Sequence, residues 1–306
     1  MIPPEHKDCR MPLPKKVTLT EVSPRDGLQN ESVFIPTDIK IQFIELLTQA
    51  GFPEIEITSF VNPKKIPALS DCTEVMHAFS TNTQSKCIAL IPNLQGLQNA
   101  IASGCKHISV ITAVSETFSQ KNMNCSIDES LHRIQAIIQA IKPKQFSIRA
   151  YISCTMGCPY EGFISIEKTA EIAKKLVEMG CDEISISDTI GTGTPLLAQQ
   201  LIQSVSKHIP IEKIAIHFHD TYGQALANIF ACLELGVSKI DASVGGLGGC
   251  PYAKGASGNV ATEDVLYLLN GLHIETNVNL KAAIKASEFI HHYLNHPTRS
   301  KVASAL

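Results

Sequence analysis

Two histidines one residue apart, His217 and His219, lie in the run Ile214-Ala215-Ile216-His217-Phe218-His219-Asp220. As a strand, that run sends Ile214, Ile216 and Phe218 to one face and both imidazoles to the other. Two neutral ring nitrogens converging on one point are good ligands for a divalent cation. One added carboxylate suits Mg2+ or Mn2+ in an octahedral site that keeps water or substrate oxygens. A lone histidine in a barrel strand is as readily a hydrogen-bonded core residue as a ligand; two on the inward face favour a metal.

The missing oxygen ligand is available in Ser23-Pro24-Arg25-Asp26-Gly27-Leu28-Gln29-Asn30, where Pro24 and Gly27 predict a rigid turn. Asp26 can supply the hard oxygen. Arg25 offers a cationic fork for an oxygen that gains negative charge, and Arg25 and Gln29 are assigned to substrate binding. Six glycines fall among the fourteen positions from Gly245 to Gly258, too many for a helix or strand. That composition predicts a mobile loop, a lid able to carry Cys250 into a dry site as an acid or as a thiolate. Glu56 and Asp188 sit in apolar strand-like runs and need partners if buried; Glu56 can lock Arg25, and Asp188 can relay a proton.

Short β-branched runs alternate with amphipathic segments of about 10 to 15 residues, the pattern of parallel strands joined by crossover helices. Eight runs are expected as strands: Val17 to Ser23, Glu54 to Phe60, Cys87 to Ile91, His107 to Thr112, Phe146 to Ser153, Glu183 to Asp188, Lys213 to His219 and Lys239 to Val244. Gly51, Gly104, Gly180 and Gly236 each stand where a helix must stop before the next strand. Eight parallel strands fit an open doubly wound sheet as well as a barrel. Arg25 and Asp26 follow the first strand, however, and the glycine-rich segment follows the last. Both ends can share one site only if the sheet closes, so a (β/α)8 TIM barrel is expected. One catalytic domain is expected over residues 1–306, the barrel covering about 17–272 and a helical extension about 273–306, with an added helix from Leu280 to Leu294.

The composition excludes several classes. Of the 306 residues, 44% are hydrophobic and 18% charged, with no apolar run of the roughly 18 residues that a bilayer span requires. A net charge of -3 and the lack of a Lys/Arg block argue against nucleic acid as a partner. The first residues carry acids and prolines and no apolar core, so no targeting segment is read there and the cytoplasm is expected. The ten cysteines contain no Cys-x-x-Cys pair and are expected to be mostly reduced and buried.

The motifs SPRDGLQNE, EITSFVNPKKIPAL, NCSIDES, SCTMGCPYEG, SDTIGTGTP, HFHDTYGQALAN and SVGGLGGCPYAKGASGNVATED together resemble the 3-hydroxy-3-methylglutaryl-CoA (HMG-CoA) lyase family of barrel metallolyases, from about Val17 to Ala303. The resemblance implies cleavage of HMG-CoA to acetyl-CoA and acetoacetate, an acyl-CoA substrate, a divalent cation and a homodimer. It puts the metal ligands on Asp26, His217, His219 and Asn259, the lid cysteine on Cys250, the enolate-stabilising arginine on Arg25 and the supporting acids on Glu56 and Asp188. A base, either Asp188 or a water or histidine linked to it, would take the C3 hydroxyl proton. Where relatives often carry a lysine near the CoA phosphates this chain has Ser32 and Val33, leaving Lys64 and Lys65 as candidates. The alternatives are a Claisen-condensing synthase of the same superfamily, whose motif after the glycines differs from Gly249-Cys250-Pro251-Tyr252, and an inactive CoA-binding scaffold.

Overall fold

The computed structural model describes residues 13–142, 145–249 and 258–306. Eight strands, β1 (Thr18–Glu21), β2 (Glu54–Ser59), β3 (Lys86–Leu90), β4 (His107–Ala113), β5 (Ser147–Ser153), β6 (Glu183–Asp188), β7 (Ile214–Phe218) and β8 (Lys239–Ala242), pair in parallel and in chain order. The ring closes where β1 meets β8, with Leu19 opposite Ile240 and Glu21 opposite Ala242. The expected TIM barrel is the observed one.

Helices α1 (Thr37–Gln49), α2 (Cys72–Ala78), α3 (Leu94–Ala102), α4 (Glu116–Met123), α5 (Ile127–Ile141), α6 (Ile166–Met179), α7 (Pro195–Ser206), α8 (Ala225–Leu233) and α9 (Thr262–Gly271) follow the strands around the outside. Beyond them, α10 (Leu280–Leu294) packs against α1, and α11 (Lys301–Ala305) against α9. Helix α5 starts at a reciprocal cap in which Ser126 accepts from the Glu129 N–H and the Glu129 carboxylate accepts from the Ser126 N–H. Gly51 shows why glycine ends these helices: its φ is +94°, and a Cβ there would lie 2.6 Å from the Asn277 carbonyl oxygen. Among the described residues no helix is long and apolar enough to cross a membrane, and the eight described cysteines are free, all but Cys72 buried.

Strand alternation sorts the barrel into two environments. Leu19, Ile55, Ile57, Val110, Ile152, Ile186, Ile216 and Ile240 are buried against the helices, where they meet residues such as Phe43, Ile44 and Leu47. Removing this apolar ring from water is the main driving force for closure. The opposite parity carries Glu54 and Glu56, Arg149 and Tyr151, Glu183 and Ser185, His217, and Lys239 and Asp241, so the barrel interior is largely polar. The Arg149 guanidinium pairs with Asp241, approaches Glu183 at 3.2 Å and donates to Thr20 Oγ1 at 2.8 Å. Lys239 pairs with the same Glu183, and Lys86 with Glu54 at 2.9 Å. Charges stacked in this way persist only because each has an opposite partner.

Candidate active site

The first strand stops at Glu21, two residues before the expected end, because the chain coils at once into one turn of π-helix over Ser23–Gly27. There the Val22 carbonyl accepts from the N–H groups of Arg25, Asp26 and Gly27, at 3.2, 2.8 and 3.2 Å. Such turns are rare and cluster at functional sites. This one projects Arg25 and Asp26 into a cavity of about 580 Å³ at the C-terminal mouth of the barrel, which Gln29, Tyr151, His217 and His219 also line.

Arg25 is buried and forked between two acids. Its Nε and Nη2 each lie 2.5 Å from Glu56 Oε2, and its Nη1 donates to Asp26 Oδ1 at 2.6 Å. The expected lock by Glu56 is present, and Glu56 is itself held by Ser109 Oγ and, at 3.2 Å, by the Tyr151 hydroxyl. Despite burial, which acts the other way, the carboxylates of Glu56 and Asp26 raise the Arg25 pKa further above its already high value. Tyr151 lies beside two guanidinium groups, Arg25 at 5.5 Å and Arg149 at 5.1 Å from its ring centroid, and stands edge-on to His217.

The strand β7 and the bridge that follows it bring the two imidazoles together, with ring centroids 5.5 Å apart. Asp26, His217 and His219 each present a ligand atom, all within 4.8 Å of one another. Burial opposes ionisation of Asp26, but Arg25 and the two histidines more than offset it and hold the carboxyl well below the ordinary range. Burial pushes His219 down to about 4, with His217 adding to the drop, so its ring is neutral at physiological pH. The buried His219 Nδ1 has no hydrogen-bond partner among the described residues. An ionised carboxylate, a neutral imidazole with an orphaned nitrogen and a second imidazole fit a divalent cation.

Asn259 enters from the return segment that bridges β7 and β8: it pairs with His219, and its neighbour Val260 donates to Phe218 O at 3.1 Å. Its Nδ2 donates to Asp26 Oδ2 at 2.8 Å and to Leu247 O at 3.0 Å. The amide therefore braces Asp26 in this arrangement; ligation through Oδ1 requires a half-turn of the amide.

Asp188 takes a different place from the relay position. In β6 it shares the parity of Ile184 and Ile186, whereas its neighbours Ser187 and Thr189 line the cavity. Its oxygens accept from the Thr192 and Gly193 N–H groups at 3.1 and 2.8 Å, fixing the loop after β6. Burial pushes its carboxyl up to about 6 even against those donors. Cys250 lies outside the described residues. The described glycines before it are tethered: Arg299 donates from its backbone N–H to Gly245 O at 2.9 Å and from its guanidinium to Gly248 O at 2.7 Å, and Asn30 donates to Gly249 O at 3.1 Å.

Beneath that turn, Glu263 accepts both-handed from the Gly245 N–H at 2.9 Å, and Glu21 accepts from the N–H groups of Ser23 and Val244 and from the Thr262 hydroxyl. Burial pushes both carboxyls up to about 7, and the Glu21 charge adds to the rise at Glu263. A carboxyl raised this way binds its proton more tightly folded than unfolded. The stability it allows is therefore greatest below the ordinary carboxylate range and declines as pH climbs through about 7. Glu263→Gln should shrink the fall in Tm between mildly acidic and mildly alkaline buffer; an unchanged fall in calorimetry would exclude Glu263 as its source.

Fold and mouth together define a (β/α)8 barrel enzyme scaffold with a candidate metal centre. The HMGL-like family model matches residues 16–290. The mitochondrial hydroxymethylglutaryl-CoA lyase of Mus musculus is 52% identical over 293 residues, covering 96% of this chain and 90% of the relative. The crystal structure of the hydroxymethylglutaryl-CoA lyase from Pseudomonas aeruginosa superposes with a TM-score of 0.93 at 49% identity, covering 96% of this chain and 98% of that one. An HMG-CoA lyase from Acinetobacter baumannii, solved in complex with coenzyme A and 3-methylmalate, gives a TM-score of 0.91 at 35% identity over 95% of each chain. The chain belongs to the HMG-CoA lyase family.

Two inward residues of this site, Tyr151 and Asp241, escaped the sequence reading. Both sit in short strands whose apolar alternation is regular, Ile148-Arg149-Ala150-Tyr151-Ile152 and Lys239-Ile240-Asp241-Ala242. The signal was the parity: polar groups in phase with one another and out of phase with the aliphatic residues.

Proposed function

We propose that the protein cleaves HMG-CoA to acetyl-CoA and acetoacetate in a metal-dependent retro-aldol reaction. The observation that carries this reading is one cavity wall holding a locked arginine fork beside an Asp-His-His ligand set, in a chain of this family. Asp26, His217 and His219, with Asn259 if its amide turns, would hold a divalent cation, which would supply Lewis acidity toward the C3 hydroxyl. Arg25 stabilises the thioester oxygen as it gains charge when the C2–C3 bond breaks; the fixing of its fork by Glu56 and Asp26 supports that role, since a preset donor needs little reorganisation. Gln29, on the same wall, binds the acyl portion. The hydroxyl proton leaves through water at the mouth, since the Asp188 oxygens are engaged by backbone N–H groups. Cys250 delivers a proton to C2, and the bond electrons that formed the enolate close the acetyl-CoA methyl group.

Lys64 and Lys65 are both exposed, and Lys65 borders the cavity, which favours it as a contact for the anionic end of the CoA. The deciding assay incubates purified protein with HMG-CoA and Mg2+ or Mn2+ and measures acetoacetate. Its release at a rate proportional to enzyme is expected. Turnover only with acetyl-CoA plus a 2-oxo acid would replace the lyase by a synthase.

A further inference from the structure

A neutral imidazole carries one donor and one acceptor nitrogen, and the partner of one nitrogen decides what the other can do. His217 stands between two carboxylates: its Nδ1 lies 3.2 Å from Asp241 Oδ2, and its Nε2 faces Asp26 Oδ2 at 3.9 Å. We infer that Asp241 is a positioning residue for the metal centre, accepting the Nδ1 proton of His217 so that the Nε2 lone pair is committed to the point shared with Asp26 and His219. This inference rests on the metal-dependent reading of the site.

The geometry is over-determined. The β7–β8 register sets His217 directly beside Asp241. Ser185 Oγ donates to Asp241 Oδ2 at 3.0 Å, and Arg149 holds Oδ1 while donating to Thr20 Oγ1. Neighbours from β5, β6 and β7 thus fix one carboxylate, with Thr20 of β1 steadying Arg149, and that carboxylate is buried and has no freedom to follow the ring. His219 differs. It lies beyond the end of β7, and its Nδ1 lacks any partner among the described residues. One ligand is preset by the barrel, whereas the other takes its orientation at the mouth.

A role confined to neutralising Arg149 would also bury Asp241, so the test must read the ring itself. In Asp241→Asn the amide oxygen turns to Arg149, which only donates, and the amide NH2 is left facing His217 Nδ1. That forces the ring proton onto Nε2 and blocks ligation there. Mn2+ binding, followed by electron paramagnetic resonance of the free ion, should be about 10- to 100-fold weaker in this variant than in wild type. Equal affinity in the two would overturn the inference alone. A wild type that takes up no Mn2+ would instead remove the metal-dependent reading on which it stands.

Should Asp241→Asn fail to fold, 15N spectra of metal-free wild type decide the matter, with His217 assigned from the resonance lost in His217→Asn. A proton on Nδ1, shared with Asp241, is expected; a ring protonated on Nε2 with Nδ1 bare would overturn the assignment.

Discussion

Arg25→Met is expected to lower kcat for HMG-CoA cleavage by about 100- to 1000-fold, the usual cost of losing one donor aimed at developing charge. KM should change far less, because the fork acts on an oxygen that becomes anionic only as the bond breaks. The substitution strands Glu56, but that carboxylate keeps Ser109 and Tyr151 as donors, so a lower Tm with a native circular dichroism spectrum is expected. Arg25→Lys should recover little of the rate: an ammonium cannot make the two contacts with Glu56 and the one with Asp26 that set the guanidinium plane. A methionine variant with near-normal kcat would take Arg25 out of the chemistry.

Removal of the cation should have the second large effect. After treatment with EDTA and desalting, acetoacetate release is expected to fall by at least about 1000-fold, and Mg2+ or Mn2+ should restore it. His219→Ala should lose that restoration, since its neutral ring and orphaned Nδ1 are the clearest signs of a ligand that the protein leaves unsatisfied. Stripped protein that keeps full turnover would refute the metal centre and leave only the arginine fork to account for catalysis.

The elements that a short periodic run defines well were legible in the chain. The spans Glu183–Asp188 and Leu280–Leu294 match the expected ones residue for residue, since β-branched alternation and a 3.6-residue stripe have no rival reading there. The strand ends at the mouth were not. Val22 and Ser23 continue the apolar pattern of β1, yet the chain bends into the π turn because the Val22 carbonyl captures three N–H groups instead of continuing the ladder. Asp188 was placed by its neighbours in sequence, whereas its parity with Ile184 and Ile186 sends it away from the cavity. Asp26, His217 and His219 were found because their types declare a ligand set and the barrel brings them within reach. Asp241 was overlooked because a carboxylate inside a strand has meaning only through the cross-strand register, which one sequence does not print. The expected acid Cys250 lies outside the described residues, so its part in the reaction rests on the family resemblance and on the proposed chemistry.

Charged side chains run through the barrel from Lys86 and Lys239 at one end to Arg149 and Asp241, and His217 stands between Asp241 and the Asp26–Arg25 pair at the other. In a hydrocarbon-filled barrel, damage at the floor would be absorbed by local repacking. Here Glu183 is one of three restraints on Arg149, which Asp241 and Thr20 would still hold, whereas neutralising Arg149 itself would leave the buried Asp241 charge without its cation beside His217, with no atom of the mouth having been altered. Inactivating substitutions should accordingly extend much deeper along the barrel axis than contact with substrate alone would require.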